Sequence, residues 1–211
     1  MEKTYSVEEE NWNIRTHAFG LGITLIGVGA LLVKGIHLHS LQVFIACLIY
    51  GIGVTAMFLA STLYHSAKNP ARRRKLNIFD HVAIYLTIAG SYTPITLLVM
   101  PPKWGIPVLV SVWLIAACGI ILKFFFIGRH SKLSTIMYVL MGWVIIIAFK
   151  PLVDSMPTAG LIWLIAGGLA YTVGALVYQI KAIKFNHAIF HLFVLIGAVC
   201  HYVVVYGYCI K

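Results

Sequence analysis

The sequence predicts an all-α integral membrane protein, a bundle of seven transmembrane helices forming one domain over residues 1–211, with its N-terminus in the cytoplasm and its C-terminus outside. Three observations carry that reading. The chain is 61% apolar and only 10% charged, whereas a soluble domain is about 45–50% apolar and about 25% charged. Seven apolar stretches each approach or exceed the roughly 20 residues that cross the hydrocarbon core: about 17–36, 42–65, 79–100, 105–127, 133–151, 158–179 and 187–209. The Lys and Arg residues between them are unevenly shared between the two sides. Barrel strands are excluded, because they alternate polar and apolar residues over about ten positions.

The first span follows the acidic stretch Glu8-Glu9-Glu10, with Arg15, Thr16 and His17 at its start. A cleavable leader would begin basic and end in small residues, so the segment reads as a retained span. The second contains Gly51 and Gly53, which favour close helix approach, and ends Ser61-Thr62-Leu63-Tyr64-His65. The third opens Asn77-Ile78-Phe79-Asp80-His81. Pro94 is expected to kink it, with Thr87, Ser91 and Thr93 satisfying freed carbonyls. Pro101-Pro102 and Pro157 mark the breaks before the fourth and sixth spans, and Pro70 lies in the connection before the third. Gly167-Gly168 marks close packing in the sixth. The seventh carries His187, His191 and His201. Trp104, Trp143 and Trp163 suit interfacial belts and helix packing, and no repeat or low-complexity tract interrupts the pattern.

The formal charge of +10 would suggest a nucleic-acid partner in a soluble chain. Here it reads as topology. With seven spans, Lys3, Arg15, Lys68, Arg72, Arg73, Arg74, Lys75, Lys123, Arg129, Lys132, Lys181 and Lys184 fall on the N-terminal side, against Lys34, Lys103, Lys150 and Lys211 on the other. That bias places the N-terminal side in the cytoplasm and leaves no nucleic-acid surface to explain. Arg72–Lys75 can add attraction for anionic headgroups, about 1 kcal/mol per residue. Cys47, Cys118, Cys200 and Cys209 form no CxxC pair and read as small buried hydrophobes.

Ionisable residues inside spans are costly and mark functional sites. Seven-span topology puts His65, Asp80, His187 and His191 at one depth, in the leaflet of the N-terminal side. His187 and His191 are one turn apart, a spacing at which two imidazoles hold one ion. Three neutral imidazoles suit Zn²⁺ and leave a fourth position for water. Asp80 could then take a proton from that water, and Ser61, one turn from His65, could orient a carbonyl or stabilise an oxyanion. Such a set suits metal-assisted hydrolysis of a lipid amide or ester. His201, about 15 Å further along its helix, lies outside the ligand set.

Each residue also has an ordinary reading. A membrane histidine commonly bonds to a neighbouring helix, which is the expectation for His17, His37, His39, His81 and His130 unless they are simply exposed at the interface. His201 is either a donor behind the site or a satisfied core group. Asp80 could cap the third helix, and Ser61 could be one of the small hydroxyl residues common at helix contacts.

The segments Ser61-Thr62-Leu63-Tyr64-His65-Ser66, Phe79-Asp80-His81, Ala89-Gly90-Ser91-Tyr92-Thr93-Pro94, Met141-Gly142-Trp143 and His187-Ala188-Ile189-Phe190-His191 resemble the bacterial haemolysin III family over about residues 9–206. That family is related to the progestin and adiponectin receptors and, more distantly, to alkaline ceramidases. The resemblance implies a multi-pass protein of the bacterial cell membrane. It maps His65, His187 and His191 onto zinc ligands, Asp80 onto the carboxylate beside the zinc-bound water, and Ser61 onto the serine of the second helix. It leaves three functions to separate: a zinc-dependent hydrolase with a membrane lipid or lipid-like substrate and a role in lipid homeostasis, a lipid-sensing receptor-like protein with non-catalytic zinc, and a pore-forming cytolysin. The short stretch before the first span lacks the long extension of the eukaryotic receptors, which points away from hormone signalling. Seven uniformly apolar spans with no water-soluble form point away from a secreted pore.

Overall fold

A computed structural model describes residues 5–126 and 131–210, without the side chains of 126, 131 and 132. His130, Lys3, Arg129 and Lys211 lie outside the described residues. Among the described residues eight α-helices occur in order: α1 Val7–His37, α2 Leu41–Ser66, α3 Pro70–Leu98, α4 Pro102–Phe126, α5 Ser131–Gly142, α6 Phe149–Ser155, α7 Thr158–Gln179 and α8 Asn186–Val204. A 3₁₀ turn, Val144–Ala148, joins α5 to α6, and a π-helical turn, Val205–Cys209, continues α8. Among the described residues there is no strand, and seven segments are long and apolar enough to cross a membrane, α5 and α6 counting as one. The protein is a helical, multi-pass membrane protein.

Two helices begin well before the apolar stretches that announce them. α1 starts at Val7 because the Ser6 hydroxyl accepts the Glu9 N–H at 3.1 Å. Glu8, Glu9 and Glu10 then occupy the first turn, where carboxylates complement the helix dipole. α3 starts at Pro70, a residue pre-set for the first helical position, with the Asn69 side chain accepting the Arg72 N–H at 3.0 Å. Asp80 therefore sits almost three turns inside α3. Capping belongs to Asn69, so the capping reading of Asp80 is excluded.

The fifth span is also not the single helix that its apolar run suggests. α5 stops at Gly142, and the backbone groups freed there are met from α3. The Tyr92 hydroxyl donates to the Gly142 carbonyl at 2.8 Å and accepts the Ile145 N–H at 3.0 Å. Trp143 at the break donates from Nε1 to Thr172 Oγ1 of α7 at 3.0 Å. α3, by contrast, runs on through Pro94. The hydroxyls of Thr87, Ser91 and Thr93 bond to the carbonyls of Ala83, Thr87 and Ala89, not to the Gly90 carbonyl that Pro94 leaves.

α1 packs on α2, α2 on α3 and α3 on α4, α5 lies against α3 and α7, and α8 closes back onto α1 and α7. α2 and α3 touch backbone to backbone at Gly53, where a Cβ would stand 2.7 Å from the Leu86 carbonyl oxygen. Thr87 Oγ1 of α3 donates to the Gly53 carbonyl across this contact at 2.8 Å. Large apolar side chains such as Ile26, Phe125 and Ile147 face outward, as lipid contact requires. Three expectations change. Cys118 is exposed rather than buried. Lys123 is buried and donates to Ser134 Oγ at 2.5 Å, so it is not a surface charge. Arg73 turns inward to an acidic partner on α1 instead of standing free for lipid.

Candidate metal centre

His65 lies in the last turn of α2, and His187 and His191 lie in the first two turns of α8. Antiparallel packing brings these ends together, as the shared depth predicts. All three side chains are buried, and one nitrogen from each falls within 4.8 Å of the others. His65 Nε2 and His187 Nε2 are 3.1 Å apart. Two nitrogens bound to one tetrahedral ion at about 2.0 Å would be separated by roughly 3.3 Å, so the donor set fits a metal such as zinc.

The opposite edge of each ring meets the beginning of α1. His65 Nδ1 lies 2.6 Å from the Glu10 carboxylate, and Arg73 of α3 donates to the other oxygen of that carboxylate. His191 Nδ1 lies 3.3 Å from the Asn13 carbonyl and 3.3 Å from Thr16 Oγ1. His187 Nδ1 lies 3.1 Å from the Tyr5 hydroxyl. Burial holds the Tyr5 phenol far above its ordinary range, so it stays neutral. α8 begins without a side-chain cap of its own, and Glu9 Oε1 accepts the His187 N–H at 3.4 Å. Carboxylate and carbonyl oxygens only accept. Nδ1 of His65 and of His191 therefore carries a proton, and in the neutral ring each Nε2 keeps its lone pair for an ion.

A cavity of about 190 Å³ with mostly apolar walls lies against His187 and His191. Ser61 and Asp80 line it beside His187 and His191, and Trp143 and His201 line it further along. The buried Ser61 Oγ has no hydrogen-bond partner among the described residues. The Asp80 carboxylate is 4.0 Å from His81 Nδ1, and His81 Nδ1 donates to the Asn77 carbonyl of its own helix at 2.8 Å. His201 stands apart from the three-histidine cluster, packed so closely against Gly167 that a Cβ there would clash with its ring. His37 and His39 are exposed, which agrees with an ordinary role. His17 is not ordinary. It is buried at 3% exposure, stacks on the His191 ring with centroids 3.5 Å apart, and lines the cavity.

Against known families, the one described as "Haemolysin-III related" matches residues 5–202. The chain belongs to the haemolysin III family. It is 40% identical to "Hemolysin-3" of Bacillus cereus over 92% of this chain and 89% of that protein. It is 39% identical to "Hemolysin-3 homolog" of Bacillus subtilis (strain 168) over 98% and 97%. Similarity extends to the human "Monocyte to macrophage differentiation factor", 35% identical over 93% of this chain and 82% of the relative. No solved structure matches significantly.

In this haemolysin III family member, sequence reading overlooks the α1 side of the site. It treats Glu10 as part of an acidic stretch and His17 as ordinary, and gives Tyr5, Asn13 and Thr16 no role. A signal was present. Glu10, Asn13 and His17 fall at the i, i+3 and i+7 positions that share one helical face. That polar stripe becomes visible only if the helix is extended back through the glutamates.

Proposed function

We propose that this protein is a zinc-dependent hydrolase of lipid amides or esters, acting within the leaflet at the N-terminal end of the bundle and serving membrane lipid homeostasis. The observation that carries the reading is the convergence of three buried imidazoles, two of which line an apolar cavity together with a carboxylate and an unpartnered hydroxyl. A purely structural cluster has no use for either of the last two.

His65, His187 and His191 would hold the ion. When bound, zinc supplies Lewis acidity and makes water acidic near neutral pH. Asp80 takes the proton released as water attacks the acyl carbon and passes it to the departing amine or alcohol as the acyl C–N or C–O bond breaks. Ser61 donates its hydroxyl hydrogen to the carbonyl oxygen as negative charge develops there. The apolar walls hold the hydrocarbon chain and exclude bulk water, which strengthens both interactions. The basic bias among the connections supports a cytoplasmic N-terminus in a bacterial plasma membrane, with the seven spans acting as one domain.

The test uses purified protein in mixed micelles with fluorescent long-chain amide and ester lipids. Wild type turns over one of these classes; Ser61→Ala lowers kcat by about 10²–10³ while retaining the metal; and the His65, His187 and His191 alanine variants lose both. Full turnover in a metal-free triple variant would refute the proposal. Conductance in planar bilayers that survives loss of the histidines would instead favour the lytic pore suggested by the relatives' name.

A further inference from the structure

Resting on the metal reading above, we propose that the start of α1 is the orienting shell of the metal centre: Glu10, Tyr5 and the Asn13–Thr16 turn each hold one histidine by Nδ1, so that three Nε2 atoms face a single point. The three ligands come from two helices, α2 and α8. All of these outer partners come from a third segment, residues 5–16. One continuous segment, Tyr5 and the first turns of α1, therefore sets the rotation of three rings at once.

Two of the contacts fix which nitrogen carries the proton of the neutral ring. The Glu10 carboxylate and the Asn13 carbonyl cannot donate, so His65 and His191 are held in the tautomer whose Nε2 binds metal. Tyr5 adapts to either tautomer of His187 because a hydroxyl both donates and accepts. Glu10 is itself fixed on its other oxygen by Arg73, whose guanidinium lies 4.5 Å over the Tyr64 ring. This side-chain chain spans α1, α2 and α3 and ends on a ligand. It also accounts for the extension of α1 beyond its apolar stretch: the additional turns carry the orienting groups. These are positioning residues, since they reach the ion only through the rings.

The experiment compares full-length wild type, Glu10→Gln, Tyr5→Phe and Glu8→Gln in detergent. Zinc affinity is read by chelator competition, and ligand geometry by the visible absorption of the Co²⁺-loaded protein. Outer partners of this kind carry about 10–100-fold in metal affinity. Glu10→Gln and Tyr5→Phe should each lose about that much and alter the Co²⁺ bands, with the melting temperature of the metal-free Tyr5→Phe protein unchanged. Glu8 is exposed, and Glu8→Gln should match wild type. If Glu10→Gln does not fold, Tyr5→Phe decides, because Tyr5 precedes the first helix. Variants that bind zinc within twofold of wild type with the same Co²⁺ spectrum overturn this inference alone. A wild-type chain that takes up neither ion overturns the metal reading, and this inference with it.

Discussion

Replacing Gly53 with alanine tests how the fold holds the site. The added Cβ would lie 2.7 Å from the Leu86 carbonyl oxygen and 3.1 Å from Thr87 Cα, where ordinary contact begins at 3.4 Å. Both obstacles are backbone atoms of α3, so no side chain can swing aside and the helices must part by about 0.7 Å. That movement stretches the 2.8 Å contact from Thr87 Oγ1 to the Gly53 carbonyl to the limit of hydrogen bonding and leaves the shared hydrogen to Ala83, a loss of at most about 1 kcal/mol. Overpacking adds about 1–3 kcal/mol. At about 2–4 °C per kcal/mol for a chain of this size, the midpoint should fall by roughly 5–15 °C. Zinc affinity and turnover should fall as well, since α2 carries Ser61 and His65 and α3 carries Asp80. Gly22→Ala is the control: nothing lies within 4 Å of its added Cβ, and loss of a mid-helix glycine contributes about 0.5–1 kcal/mol of stability. Thermal unfolding in detergent, followed by circular dichroism, reads both. A Gly53→Ala midpoint within a degree of wild type would refute the backbone contact between α2 and α3.

Chelation should lower the midpoint of wild type by about 5–10 °C, because an ion present at 100 times its dissociation constant contributes about 2.7 kcal/mol. His191→Ala should show no chelator effect in the same scan. For orientation, a cysteine at Lys68 in the α2–α3 connection should react with an impermeant maleimide only after cells are opened, whereas one at Lys103 should react in intact cells. The reverse pattern would overturn a cytoplasmic N-terminus.

The seven spans were legible because lipid demands long apolar segments, and no other structure satisfies their backbones there. The grouping of His65, His187 and His191 was legible too, since alternating direction alone returns the end of α2 and the start of α8 to one depth. Hydrophobicity could not show where α1 and α3 begin. Their starts are set by Ser6 and by Asn69-Pro70, which lie outside the apolar runs. Nor could a local reading find the break after Gly142, because the residue that makes it tolerable, Tyr92, is fifty positions away on α3. The orienting residues were hidden for the same reason. Glu10 meets His65 across 55 positions and Tyr5 meets His187 across 182, pairings that follow only once α8 has closed against α1.

The central claim is that His65, His187 and His191 hold one metal ion. Its most direct test is elemental analysis of detergent-purified protein from zinc-replete cells, for wild type and for the His187→Ala, His191→Ala double variant. Wild type should carry about one zinc per chain and a folded variant almost none. Wild type without metal, or a variant that retains the wild-type zinc content, would contradict it.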